Sequence, residues 1–368
     1  MRTGKIKPKN IDWRFLVIVA ALVIFGLFVL SSASMIAGSK KFNDPTYYLR
    51  EQFLKGVLIG VAAFFIFSRI PLKFLKKYSF LFLIFSIGLL TLLFLPKLGL
   101  SHGGSTRWLD LWFLTFQPGE LLKLSFLIYL ASWFESRQKE LKNFSSGLLP
   151  FLVIIGIIGL LLLMQPNFGT FAVITLSAAA VYFAAGGRAN HLAVVAAIGI
   201  ILFFVFVLLK PYGAERLQVF LHPEQDTAGA AYQINQAMAS IGSGGLGGIG
   251  LSGSLMSAYL PESIGDSIFA VLAEKLGLFG VSFALILYIL FAVFGFRIAL
   301  RSGNYFSKIL TVGITSWILI QSFINISAIS GLLPLTGVPL PFMSYGSSGL
   351  VIALAGAGII ANISRYTN

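Results

Sequence analysis

The chain reads as a succession of long apolar runs broken by polar or basic connections. Runs near the length of a bilayer-spanning helix lie at about 13–33, 53–69, 77–95, 120–135, 148–164, 169–186, 191–209, 268–297, 307–330 and 348–363. Ten such runs predict an all-α integral membrane protein. Residues 1–368 then form one polytopic domain, with a large extracytoplasmic loop at about 210–267 between the seventh and eighth spans. The eighth run is long enough to tilt or to begin outside the membrane core. Within it, Gly277 and Gly280 offer a place for a bend, although glycine in a span also serves close helix packing.

Composition narrows the class. The chain is 57% hydrophobic and 11% charged, against about 45–50% and 25% for a soluble domain. It has no cysteine, which excludes a disulfide framework, a thiolate zinc site and a cysteine nucleophile. His102, His191 and His222 lie far apart, so no histidine metal site is expected. A basic start (Arg2, Lys5, Lys7, Lys9) precedes the apolar run Phe15–Leu30. That run exceeds the roughly 7–15 residues of a signal-peptide core and is read as a retained first span. The formal charge of +14 records topology rather than nucleic-acid binding. With the N-terminus inside, connections on that side carry 17 Lys and Arg against 8 on the other, which places both termini in the cytoplasm of a multi-pass inner-membrane protein.

The scarce charged residues near span ends carry the candidate chemistry. Pro261 is a favourable helix start, and Glu262 and Asp266, four apart, would share a face of that helix. A carboxylate at the membrane lip has its pKa raised by desolvation and by a like-charged neighbour, which suits a general base. Acidic residues at a helix N-terminus explain the same pair without chemistry. Glu120 and Lys123 read first as an intrahelical ion pair at the bilayer edge and second as a cation held for an anionic head group. Arg107 with Trp108 and Trp112 could grip a phosphate or stack on a sugar, though interfacial tryptophans are ordinary anchors. Arg216, ahead of His222-Pro223, is a second outer cation with the same ambiguity. Glu274 and Lys275 are adjacent inside an apolar run and should face a cavity or partners rather than lipid. Gly245-Leu246-Gly247-Gly248-Ile249-Gly250 matches G-x-G-x-x-G, but no strand–helix context supports a dinucleotide site. Tight turns and close backbone approach explain those glycines better, and a head-group cradle of backbone N–H groups is the alternative.

Taken in order, these residues resemble the SEDS family, which comprises the FtsW, RodA and SpoVE proteins. The resemblance rests on Tyr259-Leu260-Pro261-Glu262 with Asp266, then Ile268-Phe269-Ala270-Val271 and Glu274. Ser31-Ser32-Ala33-Ser34, Arg107-Trp108, Gln117-Pro118-Gly119-Glu120 with Lys123, Gln165-Pro166-Asn167 with Gly169-Thr170, and Tyr232-Gln233 fall in the family's order. Pro339-Leu340-Pro341-Phe342 with Ser344-Tyr345-Gly346 is the most specific match. Two places depart from the family pattern: Ile264-Gly265 stands where it has His-Thr, and Gly346-Ser347-Ser348-Gly349 where it has Gly-Gly-Ser-Ser. The glycine run, Leu251-Ser252 and the ending Asn362-Ile363-Ser364-Arg365 resemble the division type; Ile11-Asp12-Trp13 resembles the elongation type.

The resemblance implies a peptidoglycan glycosyltransferase that polymerises lipid II and releases undecaprenyl pyrophosphate. It would serve septal synthesis if FtsW-like, or lateral synthesis if RodA-like. Asp266 is then the expected base, and Glu262 supports it. Arg107, Trp108, Glu120, Lys123, Arg216, Lys275, Ser344 and Tyr345 are the other residues expected at the substrate. The implied partners are lipid II, membrane lipid, a class B penicillin-binding protein acting as transpeptidase, and other divisome or elongasome membrane proteins, with no nucleic acid. A divalent cation, Mg or Mn, is the one cofactor to expect. A lipid II flippase and a non-catalytic scaffold that activates a transpeptidase are the competing classes.

Overall fold

Each of the ten apolar runs forms a helix in the computed structural model, which describes residues 10–95, 98–102, 105–110, 115–209, 211–222, 229–251, 253 and 256–367. The basic residues Arg2 to Lys9, together with Lys97, Trp112, Lys210, Pro223 and Ser252, lie outside the described residues. The first helix, α1 (Trp13–Phe42), starts at Asp12, whose carboxylate accepts from Arg14 N at 3.0 Å, and stops at Asn43 in the left-handed region. It runs nine residues past the expected end at 33. The second run begins earlier than expected, because α2 (Tyr47–Glu51), a π-helical stretch at Gln52–Leu58 and α3 (Ile59–Phe67) follow one another without a break. Next come α4 (Leu72–Lys77), α5 (Ser79–Leu92), α6 (Pro118–Ser136), a π-helical turn at Phe144–Leu148, α7 (Leu149–Met164) and α8 (Phe168–Ala184). The order closes with α9 (Ala189–Leu209), α10 (Pro211–Leu221), α11 (Ala230–Ser243), α12 (Ile268–Arg301), α13 (Tyr305–Ile329) and α14 (Ser347–Ser364).

Five of these helical segments are long and apolar enough to cross a membrane: Trp13–Phe42, Phe144–Met164, Ile268–Arg301, Tyr305–Ile329 and Ser347–Ser364. Ser79–Leu92, Phe168–Ala184 and Ala189–Val205 are shorter apolar helices. Around the central α13 pack α6, α8, α12 and α14, and α14 also lies along α3. The centre is filled by large side chains such as Trp317, Phe126, Phe134 and Phe291. Leu208, Phe279 and Leu300 instead stand exposed on the outer surface, the inverse of a soluble protein and the arrangement suited to a lipid solvent.

Hydrogen bonds and ion pairs between connections mark two groups of loops. At one end Asp12 N meets Ser364 Oγ (3.1 Å), Asn362 Nδ2 caps Phe67 and Ile70 carbonyls (3.1 and 2.6 Å), and Lys76 pairs with Glu135 (2.6 Å). The other end carries Ser32 Oγ bound to Leu251 O (2.6 Å) and the turn before α12 bound to the segment before α14.

That second end holds two features that the helical pattern does not predict. Residues 99–116 form a three-stranded antiparallel sheet, β1 (Gly99–His102), β2 (Ser105–Asp110) and β3 (Thr115–Phe116), in the order β1-β2-β3. The strands are too short, and too poor in alternation, to stand out in sequence. The expected bend in α12 is a break at Gly277, with φ 61° and ψ −158°. The glycine run repairs the freed backbone. Ile249 N donates to Glu274 O (3.0 Å), Gly250 N to Lys275 O (3.1 Å), Leu278 N to Gly245 O (2.9 Å) and Phe279 N to Leu246 O (3.2 Å). A Cβ on Gly277 would lie 2.4 Å from Gly248 N, and one on Gly248 2.1 Å from Lys275 O. Broken helices inside a membrane protein persist only when other groups satisfy their backbone. The G-x-G-x-x-G match is therefore a clasp on a broken helix.

Candidate active site

Asp266 sits in a tight turn, Pro261–Ser267, directly ahead of α12. The sequence predicts a helix from Pro261 that would place Glu262 and Asp266 on one face; the structure corrects this. Glu262 adopts φ 50°, in the left-handed region, and regular helix begins only at Ile268. Gly265 N and Ser267 N fold back onto Glu262 O at 2.9 and 3.2 Å. The remaining carbonyls of the turn serve other segments. Ile264 O accepts from Tyr345 N (2.8 Å), Gly265 O from Ser344 Oγ (2.7 Å) and Asp266 O from Asn325 Nδ2 (2.7 Å). Tertiary hydrogen bonds thus outcompete the local helix. Ile264 and Gly265, which form one of the two departures from the family pattern, contribute here through their backbone carbonyls.

The carboxylate of Asp266 accepts from Gln233 Nε2 at 3.2 Å, and Gln233 also donates to Ser267 Oγ at 3.0 Å. Gln233 belongs to α11, so the long connection between α9 and α12 reaches the acid directly. Burial, and then the nearby Glu262 charge, push the Asp266 pKa up to about 6, while Arg216 on α10 and the Gln233 bond pull it back. An acid so placed is ionised near neutral pH and still able to take a proton.

Arg107 comes from β2. Strand alternation puts Arg107 on the buried face and the neighbouring Trp108 on the other, so the two do not form the joint grip expected from their adjacency. Arg107 Nη2 donates to Pro166 O at 2.6 Å. Its Nη1 and Asp266 Oδ2 both border Gly337, at 3.5 and 3.8 Å from where a Cβ would stand. One cation and one carboxylate, widely separated in sequence, therefore share one space.

The Leu332–Gly346 segment forms the opposite wall and is held by polar residues of the surrounding helices. Gln321 Nε2 donates to Pro339 O (2.9 Å), Asn325 Nδ2 to Val338 O (2.7 Å), Leu340 N to Ser344 Oγ (2.8 Å) and Gly346 N to Gln52 Oε1 (3.0 Å). Ser344 is accordingly a clamp between two backbone segments. The Tyr345 ring meets Tyr48 edge-on at 5.0 Å, and burial pushes its phenol pKa up to about 12.

Glu120 and Lys123 form the expected intrahelical pair at 2.8 Å, with side chains only 3% and 2% exposed. The pair is enclosed within the bundle. Lys123 Nζ also donates to Gln321 Oε1 (2.6 Å) and lies 5.3 Å from the centre of the Trp317 ring. Two of its three donors thus serve the network that carries Pro339. Lys275 donates to Gly253 O, and Glu274 accepts from Met256 N and Ser257 N at 2.9 and 2.8 Å. As expected, these two face partners rather than lipid. Those partners are the connection next to the glycine clasp, so Lys275 stands apart from the Asp266 group.

Sequence reasoning did not single out Gln321 and Asn325 or assign Gln233 a role. The signal was present for the first two: amide side chains four apart inside an apolar span need partners. Among the described residues no three His, Cys, Asp or Glu side chains gather as a metal site. No step is assigned to a divalent cation.

Comparisons with known proteins place the whole chain in one family. The family described as "Cell cycle protein", covering FtsW, RodA and SpoVE, matches residues 12–368. Stage V sporulation protein E of Bacillus subtilis (strain 168) is 35% identical over 368 residues, covering all of both chains. A probable peptidoglycan glycosyltransferase FtsW of Geobacter sulfurreducens is 34% identical over 354 residues, 96% of this chain and 95% of that one. Among solved structures, a chain from a peptidoglycan synthase complex that coordinates polymerization and crosslinking superposes with a TM-score of 0.80 at 28% identity. That match covers 96% of this chain and 98% of the other. The rod shape determining protein RodA of Thermus thermophilus, at 24% identity and a TM-score of 0.69 over 97% and 98% of the two chains, shares the fold. A full-length match in sequence and in fold makes this chain a member of the FtsW/RodA/SpoVE (SEDS) family of multi-pass membrane proteins.

Proposed function

We propose that the chain is a peptidoglycan glycosyltransferase that extends glycan strands from lipid II, with Asp266 as general base. The observation that carries the reading is the setting of Asp266: a partly exposed acid with a pKa near 6, oriented by Gln233 and sharing its space with Arg107. Asp266 removes the proton from the acceptor sugar hydroxyl as that oxygen bonds to the anomeric carbon of the lipid-linked donor. The bond from that carbon to the phosphate oxygen breaks, and its electron pair leaves with the pyrophosphate. Arg107, and Arg216 across the site, meet the charge that develops there. Glu262 tunes the base through its like charge.

The end of the bundle that carries Asp266 faces outward, and the end rich in Arg69, Lys73, Lys76, Lys77, Arg137, Arg301 and Arg365 faces the cytoplasm. Crosslinking of the strands falls to a partner transpeptidase of the class B penicillin-binding type. The relatives named FtsW and SpoVE support a septal or sporulation setting over a lateral one.

Labelled lipid II offered to the purified protein, in detergent and then in vesicles, tests the reading. Glycan strands from the wild type and none from a folded Asp266→Asn variant support it. Movement of lipid II across vesicles without strands indicates a flippase; neither product indicates a scaffold. Full activity of Asp266→Asn would sink the base assignment.

A further inference from the structure

Gly337 lies between the two charged groups of the site, and those groups are what a side chain there would meet. Among the described residues, a Cβ there would have two non-neighbouring heavy atoms within 4 Å: Arg107 Nη1 at 3.5 Å and Asp266 Oδ2 at 3.8 Å. The backbone at this point has φ 66°, a conformation that glycine adopts without steric cost. Buried polar atoms without a protein partner lie on Arg107 and on two residues adjoining the segment around Gly337. Arg107 is only 9% exposed, and its Nε has no protein acceptor among the described residues. The same holds for Thr336 Oγ1, next to Gly337, and for Asn325 Oδ1, whose amide nitrogen holds Val338 O and Asp266 O. Buried polar atoms left unpaired are costly. Arg107 Nε and Thr336 Oγ1 can each donate to an anionic oxygen, and Asn325 Oδ1 can accept from a hydroxyl, so the set suits a ligand that carries both phosphate and sugar.

We infer that the bare Cα face of Gly337 is the seat of the substrate's glycosyl–phosphate linkage, its phosphate turned toward Arg107 and its sugar carbon toward Asp266. The assignment rests on the polymerase reading above and adds a positioning residue to it. Gly337 brings no chemical group of its own. It leaves room for the linkage to approach cation and base together, and any side chain there occupies that room. A methyl group displaces the reacting bond by more than an ångström, on the scale that costs about 100-fold in rate.

The strain of a left-handed residue must be separated from the loss of the seat. Gly186 provides the control, because it has φ 89° and no heavy atom within 4 Å of a built Cβ. Gly337→Ala, Gly337→Asn and Gly186→Ala are compared for thermal stability, lipid II polymerisation and lipid II binding, read as the rise in Tm on adding lipid II in micelles. Asparagine tolerates left-handed backbone better than alanine while filling more space. The expected result is similar stability for Gly186→Ala and at least one Gly337 variant. Gly186→Ala should keep wild-type kcat/KM and the Tm rise, while the folded Gly337 variant loses about 100-fold in kcat/KM and the Tm rise with it. A folded Gly337 variant within a few-fold of wild type in both readouts overturns the inference. So does failure of both Gly337 variants to fold when Gly186→Ala folds, since the glycine would then serve the backbone alone. If wild type binds lipid II without polymerising it, the polymerase reading fails, and the binding comparison still decides the seat.

Discussion

The chemistry at the residue scale is set by how Asp266 is held. Its pKa is raised toward 6 because its surroundings disfavour the ionised form, first through burial and then through Glu262. For an acid raised in the folded state, ionisation above the unfolded value opposes folding, so the penalty grows from about pH 4 to about pH 6 and persists above. A neutral amide escapes it. Asp266→Asn should therefore unfold at a Tm no lower than wild type at pH 7 while losing polymerisation, and thermal scans beside a strand-synthesis assay check both. In the proposed mechanism Asp266 must be ionised to take the proton, so kcat/KM should fall as pH drops through about 6. In Glu262→Gln the like charge is gone and the acid limb should move to lower pH; an unmoved limb would show that Glu262 does not act on Asp266. Sequence alone located this acid and its neighbour. It could not give their geometry, because it read a helix where tertiary hydrogen bonds to Tyr345, Ser344 and Asn325 build a turn.

The decisive feature at the element scale is the break in α12. A helix interrupted at Gly277 leaves backbone groups unpaired, and the glycine run supplies them, while Glu274 and Lys275 tie down the adjoining connection. Glycine is needed there twice over, for the positive φ and for the 2.4 Å approach of Gly248 N to a built Cβ. Gly277→Ala should cost more than about 2 kcal/mol, combining backbone strain with overpacking. Its Tm in detergent should fall well below that of Gly245→Ala, where φ is 54° and a Cβ meets nothing within 4 Å. Equal Tm values would refute the clasp. The sequence showed a bend site and a glycine-rich run separately. Their pairing, some thirty residues apart, is a matter of packing that no local pattern encodes.

The two ends of the bundle differ in charge and in task at the scale of the whole molecule. One gathers basic connections; the other gathers Asp266, Arg107, Arg216 and the loops that hold them. The absence of cysteine makes orientation directly testable with single-cysteine variants and no background labelling. In intact cells a membrane-impermeant maleimide should label Tyr259→Cys, an exposed position at the site end, and leave Glu140→Cys unlabelled until the membrane is opened. The reverse pattern would place the site in the cytoplasm and remove access to an external acceptor.

What the sequence determined by itself was the class of protein, its ten helical runs, its order of motifs and the identity of the central acid. These follow from hydrophobic length and from the rarity of charge beside apolar runs, both of which are local quantities. The tertiary structure decided which scarce polar residues meet. Arg107 and Trp108 are adjacent yet face apart because a strand alternates, whereas Arg107, Gly337 and Asp266 lie far apart in sequence yet share one space. Gln233, Gln321 and Asn325 take their roles from carbonyls and carboxylates on other elements. In an apolar bundle each polar group must find a partner across helices, and only the packed chain brings those partners within reach.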